Sequence, residues 1–107
     1  MTENEREAVR TFARRVRDLL GERLIGITLF GSKARGDDTP ESDIDLAVRV
    51  EGATTALEDA VLDIAYDINV ACGIYISPRV IDGAVFRHPV WRETPFIRAV
   101  EREGVPV

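Results

Sequence analysis

Two aspartates, Asp43 and Asp45, stand two residues apart in the segment SDIDLAVRV, residues 42–50. In an extended chain both side chains leave the same face, roughly 7 Å apart along the backbone, and they repel unless something positive lies between them. Hard divalent cations take such oxygen ligands, and Mg²⁺ is commonly held by one or two carboxylates with phosphate and water completing the octahedron. Alone, a D-x-D pair reads more readily as the solvated face of a strand. The segment before it changes the weighing. Gly31 and Ser32 open the stretch GSKARG directly after an apolar run. A glycine there lets backbone N–H groups approach an anion, the Ser32 hydroxyl can donate, and a nest or helical first turn favours phosphate. Arg35, backed by Gly36, adds a forked donor for phosphate oxygens or a nearby carboxylate. The competing account is a tight Gly-Ser turn with solvated basic residues. An anion cradle beside a cation site describes a place for a metal-bound triphosphate.

Other reactive side chains are few. His88, the only histidine, lies in FRHPVW, where a surface or packing role outweighs catalysis. Cys72 precedes Gly73 and reads as a small buried residue, since no base stands near it to activate a thiolate. Phe86, Val90 and Trp91 could form an exposed patch for a partner, but core packing is the favoured account.

The elements that must position the acids follow from periodicity. Residues 3–20 repeat apolar side chains at helical spacing, with Thr2 and Glu5 in the form of a capping box and Gly21 as a stop. LIGITLF (24–30) predicts a buried strand. GSKARGDDTPES predicts one helical turn over Ser32–Arg35 and then a surface loop. In the next strand Ile44, Leu46, Val48 and Val50 face the core, while Asp43, Asp45, Ala47 and Arg49 face away. Residues 55–71 predict a helix with Thr55 and Glu58 as its capping box. GIYISPRVI (73–81) predicts a third strand, with Pro78 marking an edge or a bulge. A short helical turn and a loop follow, and Thr94 and Pro95 open a last helix that ends at Gly104. The order α-β-(turn)-β-α-β-α gives an α/β (α+β) fold, a small mixed sheet packed against helices as one domain over residues 1–107.

Composition narrows the function. Acids outnumber bases, for a net charge of −5, which argues against direct nucleic-acid binding as the main task. Thirteen of the fourteen basic residues are Arg and only Lys33 is lysine; the skew is as compatible with genome composition as with function. No apolar run approaches the roughly 20 residues of a membrane span, and the N-terminus is charged, without a signal-peptide core. The single cysteine fits a reducing cytoplasm, the expected location.

GSKARGDDTPESDIDLAV resembles the signature of the minimal nucleotidyltransferases of the DNA polymerase β superfamily. Gly31, Ser32, Ala34, Arg35, Gly36, Ser42, Asp43, Asp45 and Leu46 fall in register, and the element order fits nearly the whole chain. The resemblance implies a nucleotidyltransferase fold in which Gly31, Ser32, Arg35, Gly36 and Ser42 bind the nucleotide. Asp43 and Asp45 are then the catalytic, Mg²⁺-binding pair. It implies transfer of a nucleoside monophosphate, AMP with ATP as substrate, to a partner protein, together with the role of antitoxin to a helical HEPN-type protein in a homo- or hetero-oligomer. Members of the superfamily usually add a third carboxylate on the next strand. The register implied here puts Tyr75 at that place, with Asp67 and Asp82 too far off to replace it, and a phenol with ordinary pKa near 10 is a poor ligand and base. The alternative is a catalytically weak or inactive antitoxin or binding module of the same fold, acting by association.

Overall fold

The structure is a computed structural model that describes residues 1–107. Its first helix, α1 (Glu3–Leu20), is closed by the expected capping box: the Thr2 hydroxyl accepts from the Glu5 N–H, and the Glu5 carboxylate accepts from the Thr2 N–H. Its apolar stripe, centred on Phe12 and Val16, is buried. Of the apolar residues at helical spacing, Ala8, Val9, Phe12, Ala13, Val16, Leu19 and Leu20, only Leu19 turns outward. A single 3₁₀ turn, Gly21–Arg23, delivers the chain to β1 (Leu24–Phe30). There Ile27 and Leu29 are buried but Ile25 is exposed, so β1 is less enclosed than its composition suggests.

The helical turn α2 (Ser32–Arg35) and a loop lead into β2 (Ile44–Val50), the most enclosed strand. Ile44, Leu46, Val48 and Val50 are all fully buried, as the alternation requires. Next comes α3 (Thr55–Cys72), where the expected cap moves by one residue. Thr54, in extended conformation, accepts from the Leu57 N–H, while Thr55 already lies within the helix. The reason is local: a cap needs non-helical backbone and a donor three residues on, and Thr54 has both. Cys72, expected to be buried, ends α3 exposed on the solvent side, with Gly73 in left-handed conformation closing the helix.

The third strand, β3 (Ile76–Asp82), starts three residues later than expected and runs into α4 (Gly83–Arg87). The chain then makes a 3₁₀ turn (Trp91–Glu93) and α5 (Pro95–Glu103), and ends in a two-residue strand, β4 (Val105–Pro106). The sheet order is β3-β2-β1-β4, with β2–β3 parallel and both pairings of β1 antiparallel. The fourth strand is the one element of the sheet absent from the sequence expectation. Two residues carry no alternation signal, and Pro106 argues locally against a strand. Pro78 sits on an edge strand, as expected.

One sheet face packs on α1 and α3 around Phe12, Val16, Leu46, Val48 and Val61. The other carries a smaller cluster, in which Ala47 and Ile81 meet Ile97 and Val100 of α5, flanked by Phe30, Phe86 and Phe96. Part of the face expected to meet water is therefore roofed by α5. The roof stops short of Asp45, which keeps partial exposure. Trp91 and Val90, expected in the core, are more than half exposed. They lie in a turn closed by His88, whose Nδ1 accepts from both their N–H groups and whose ring stacks on Trp91.

Candidate active site

The turn after β1 is built from two glycines at positive φ. Gly31 at +77° and Gly36 at +83° bracket one helical turn, in which the Gly31 carbonyl accepts from Ala34 and Arg35 and the Ser32 carbonyl accepts from Gly36. Gly31 is fixed for a second reason: a Cβ added there would fall on the carboxylate of Asp45. Phe30 is the antiparallel partner of Asp45, so the chain passes from strand to turn directly over this acid. Only a residue without a side chain fits.

Asp43 is exposed, just before β2, and Asp45 lies one alternation further in. Burial holds the Asp45 carboxyl above the usual carboxylate range, and the charge of Asp43 pushes the same way; Arg79 and then Arg35 pull against them. A carboxylate kept in an environment that disfavours its charge is suited to receive a cation. The donor set passes a simple fit: two carboxylates, approachable because Gly31 has no side chain, match an Mg²⁺ ion whose remaining positions go to phosphate and water. No group of three or more His, Cys, Asp or Glu residues is arranged to hold a metal by protein ligands alone.

The loop between turn and acids is anchored by Lys33. Its ammonium is buried and meets Glu5 of α1 at 2.7 Å and Asp38 at 2.9 Å. The Glu5 contact first, then Asp38, raises the affinity of Lys33 for its proton, and Asp38 in turn is held below the ordinary carboxylate range by Lys33. The competing account of this turn, in which its basic residues are solvated, thus does not hold for Lys33. The signal in the sequence was its singularity: in an arginine-rich chain, the one lysine places a compact ammonium between two carboxylates.

The remaining nucleotide-site candidates are distributed unevenly. Ser32 is partly buried at the start of α2. Arg35 reaches Asp37 at 3.1 Å and Glu103 of α5 at 3.0 Å, so its charge is committed to tying the turn to α5. Ser42 Oγ accepts from the Thr39 N–H and lies 3.2 Å from the Thr39 hydroxyl, which makes it a loop-closing residue in this arrangement. On β3 the residue abreast of Asp45 is Ser77, followed on the same face by Arg79. Tyr75 precedes the strand; its carbonyl accepts from the Ile44 N–H and its side chain is well exposed. Tyr75 therefore stands just outside the strand, which begins only at Ile76. Neither alternative acid returns. Asp67 pairs with Arg15, and Asp82 accepts from the Ala53 and Ala84 N–H groups at the start of α4.

Comparison with known proteins points to one family and one fold. The family described as nucleotidyltransferase domain matches residues 9–100. A protein of Methanocaldococcus jannaschii, MJ0141, provisionally named a protein adenylyltransferase, is 32% identical over 102 residues, covering 94% of this chain and 96% of that one. Among solved structures, one described as a minimal nucleotidyltransferase superposes with a TM-score of 0.55 at 24% identity over 94% of both chains. A toxin–antitoxin structure with AMP-PNP gives 0.56 at 18% identity over 98% of this chain and 72% of that one. At these identities the two structures speak for the fold.

Proposed function

This chain belongs to the nucleotidyltransferase domain family, and on that premise we propose that it transfers AMP from ATP to a hydroxyl of a partner protein. The carrying observation is the packing of Gly31 on Asp45, which sets a turn of main-chain donors directly against a carboxylate pair. The turn and the Ser32 hydroxyl bind the phosphates, and Asp43 and Asp45 hold Mg²⁺. When bound, Mg²⁺ supplies charge neutralisation on the phosphate oxygens. The acceptor hydroxyl attacks the α-phosphorus, the bond from that phosphorus to the leaving oxygen breaks, and pyrophosphate departs as the hydroxyl proton passes to solvent. The work of the protein is positioning, with little covalent chemistry of its own.

Residues 1–107 act in this reading as one catalytic domain of the cytoplasm, neutralising a helical HEPN-type toxin. Support comes from the provisional name of the M. jannaschii relative and from the toxin–antitoxin neighbour with AMP-PNP. The test is incubation with Mg-ATP and the co-encoded partner, followed by intact mass of both proteins. A gain of one AMP on the partner is expected. An unmodified partner, under conditions in which an active relative modifies its own, overturns the reading.

Ser77 favours a second reading, association without turnover, because the side chain abreast of Asp45 carries no charge. Here Asp43→Asn with Asp45→Asn leaves partner binding and neutralisation intact in a folded protein. Ser77→Asp separates the two directly. A carboxylate added opposite Asp45 supplies a base, and AMP transfer is expected to rise by about a hundredfold. No AMP transfer by either Ser77→Asp or the natural protein leaves association as the function.

A further inference from the structure

We propose that Arg79 holds the phosphate chain of the nucleotide against the acid pair, an inference that rests on the nucleotidyltransferase reading above. Four cations stand at the turn or on the sheet face that carries Asp45, and three are already committed. Lys33 is buried between Glu5 and Asp38; Arg35 joins Asp37 and Glu103; Arg49 meets Glu101 at 3.1 Å and lies over the Phe86 ring. Arg79 is exposed and has no carboxylate within ion-pair distance, although an acid pair stands on the neighbouring strand.

Its placement is fixed by the register. On β3, Ser77 is abreast of Asp45 and Arg79 abreast of Ala47, on the same face. The Arg79 guanidinium sits 5.1 Å from the Phe96 ring centroid, and Phe96 packs edge-on against Phe30, the strand partner of Asp45. The aromatic contact supports the stem and keeps the guanidinium from collapsing onto the carboxylates. Cation and acids thus stay separate instead of neutralising each other. Once a divalent ion occupies the acids, an unpaired guanidinium alongside would be repelled unless an anion lay between them. A polyphosphate satisfies both groups at once, and a guanidinium fork matches phosphate oxygens.

The experiment is calorimetric titration of ATP, and separately of inorganic tripolyphosphate, into the natural protein and two variants in the presence of Mg²⁺. Arg79→Met keeps a stem over Phe96 and removes the charge; Arg79→Lys keeps the charge without the fork. For Arg79→Met both affinities are expected to fall by about tenfold or more, with partial recovery in Arg79→Lys and a cooperatively folded protein in each case. Equal ATP and tripolyphosphate binding by Arg79→Met and the natural protein overturns the inference while leaving the nucleotide reading in place. ATP weakened with tripolyphosphate unaffected also overturns it, since the contact is then to the nucleoside. A natural protein that binds neither anion overturns both.

Discussion

Asp45 sits where burial and the charge of Asp43 make its own ionisation unfavourable, with only Arg79 and Arg35 opposing them. For a carboxyl held above its ordinary value, folding is favoured by the protonated form. The cost is absent below the unfolded-state value and is fully present once pH rises through the folded one. Asp45→Asn is therefore expected to raise Tm at pH 7, and the difference should vanish as pH falls into the unfolded carboxylate range. A Tm unaffected at neutral pH would show that the acid is not held against its preference. Gly31 carries the opposite signature. Gly31→Ala places a methyl on the Asp45 carboxylate at a backbone angle that suits only glycine, so thermal unfolding should report a loss of about 1–3 kcal/mol together with loss of ATP binding. Both residues stood out in the sequence only in combination, since a lone acid pair reads as a solvated strand face and a lone Gly-Ser as a tight turn. Ser77 and Arg79 did not stand out: their place depends on a parallel register between strands joined by an 18-residue helix, and no local pattern specifies such a register.

At the scale of elements, the helices were read from spacing and caps, and the errors fell where backbone geometry decides between adjacent residues. Thr54 and Thr55 are chemically identical, and only the extended backbone of Thr54 makes it the cap. Thr54→Ala should cost about 1 kcal/mol in denaturant unfolding while Thr55→Ala stays near neutral; equal losses would contradict the assignment. Lys33 works between elements, joining α1, the Gly31–Gly36 turn and the loop that leads to the acids. Lys33→Met leaves Glu5 and Asp38 without their partner, and Tm is expected to fall by about 10 °C. Burial opposes ionisation of Glu5, but the contacts with Lys33 and Thr2 prevail, and its carboxyl, like that of Asp38, lies below its ordinary value. The stabilisation these acids give is present above the unfolded carboxylate range and is lost as pH falls through their lowered values. On the alkaline side, the contribution of Lys33 is lost as pH rises through its raised one. The penalty of Lys33→Met should accordingly be largest near neutrality and shrink in acid. A pH-independent penalty would assign the loss to packing.

Across the whole molecule the sheet is covered unequally. The α1–α3 side buries the larger core, and the α5 side leaves the acids partly open. That asymmetry was implicit in the strand β2, whose large apolar residues all face one way while only Ala47 faces the other. The partial roof over the other side was hidden, because the cluster around Ala47 and Ile81 draws on residues fifty positions apart. The ion pair between Arg35 and Glu103 spans 68 residues and fastens the Gly31–Gly36 turn to α5, while β4 docks on β1 beside it. During synthesis the ribosome emits the turn and the acid pair long before Glu103 exists. A nascent chain can thus form its α1–α3 half first and carry a site whose turn is still untethered. Competence to bind nucleotide should consequently arrive late in translation, as a step set by the emergence of α5 and separable from collapse of the main core.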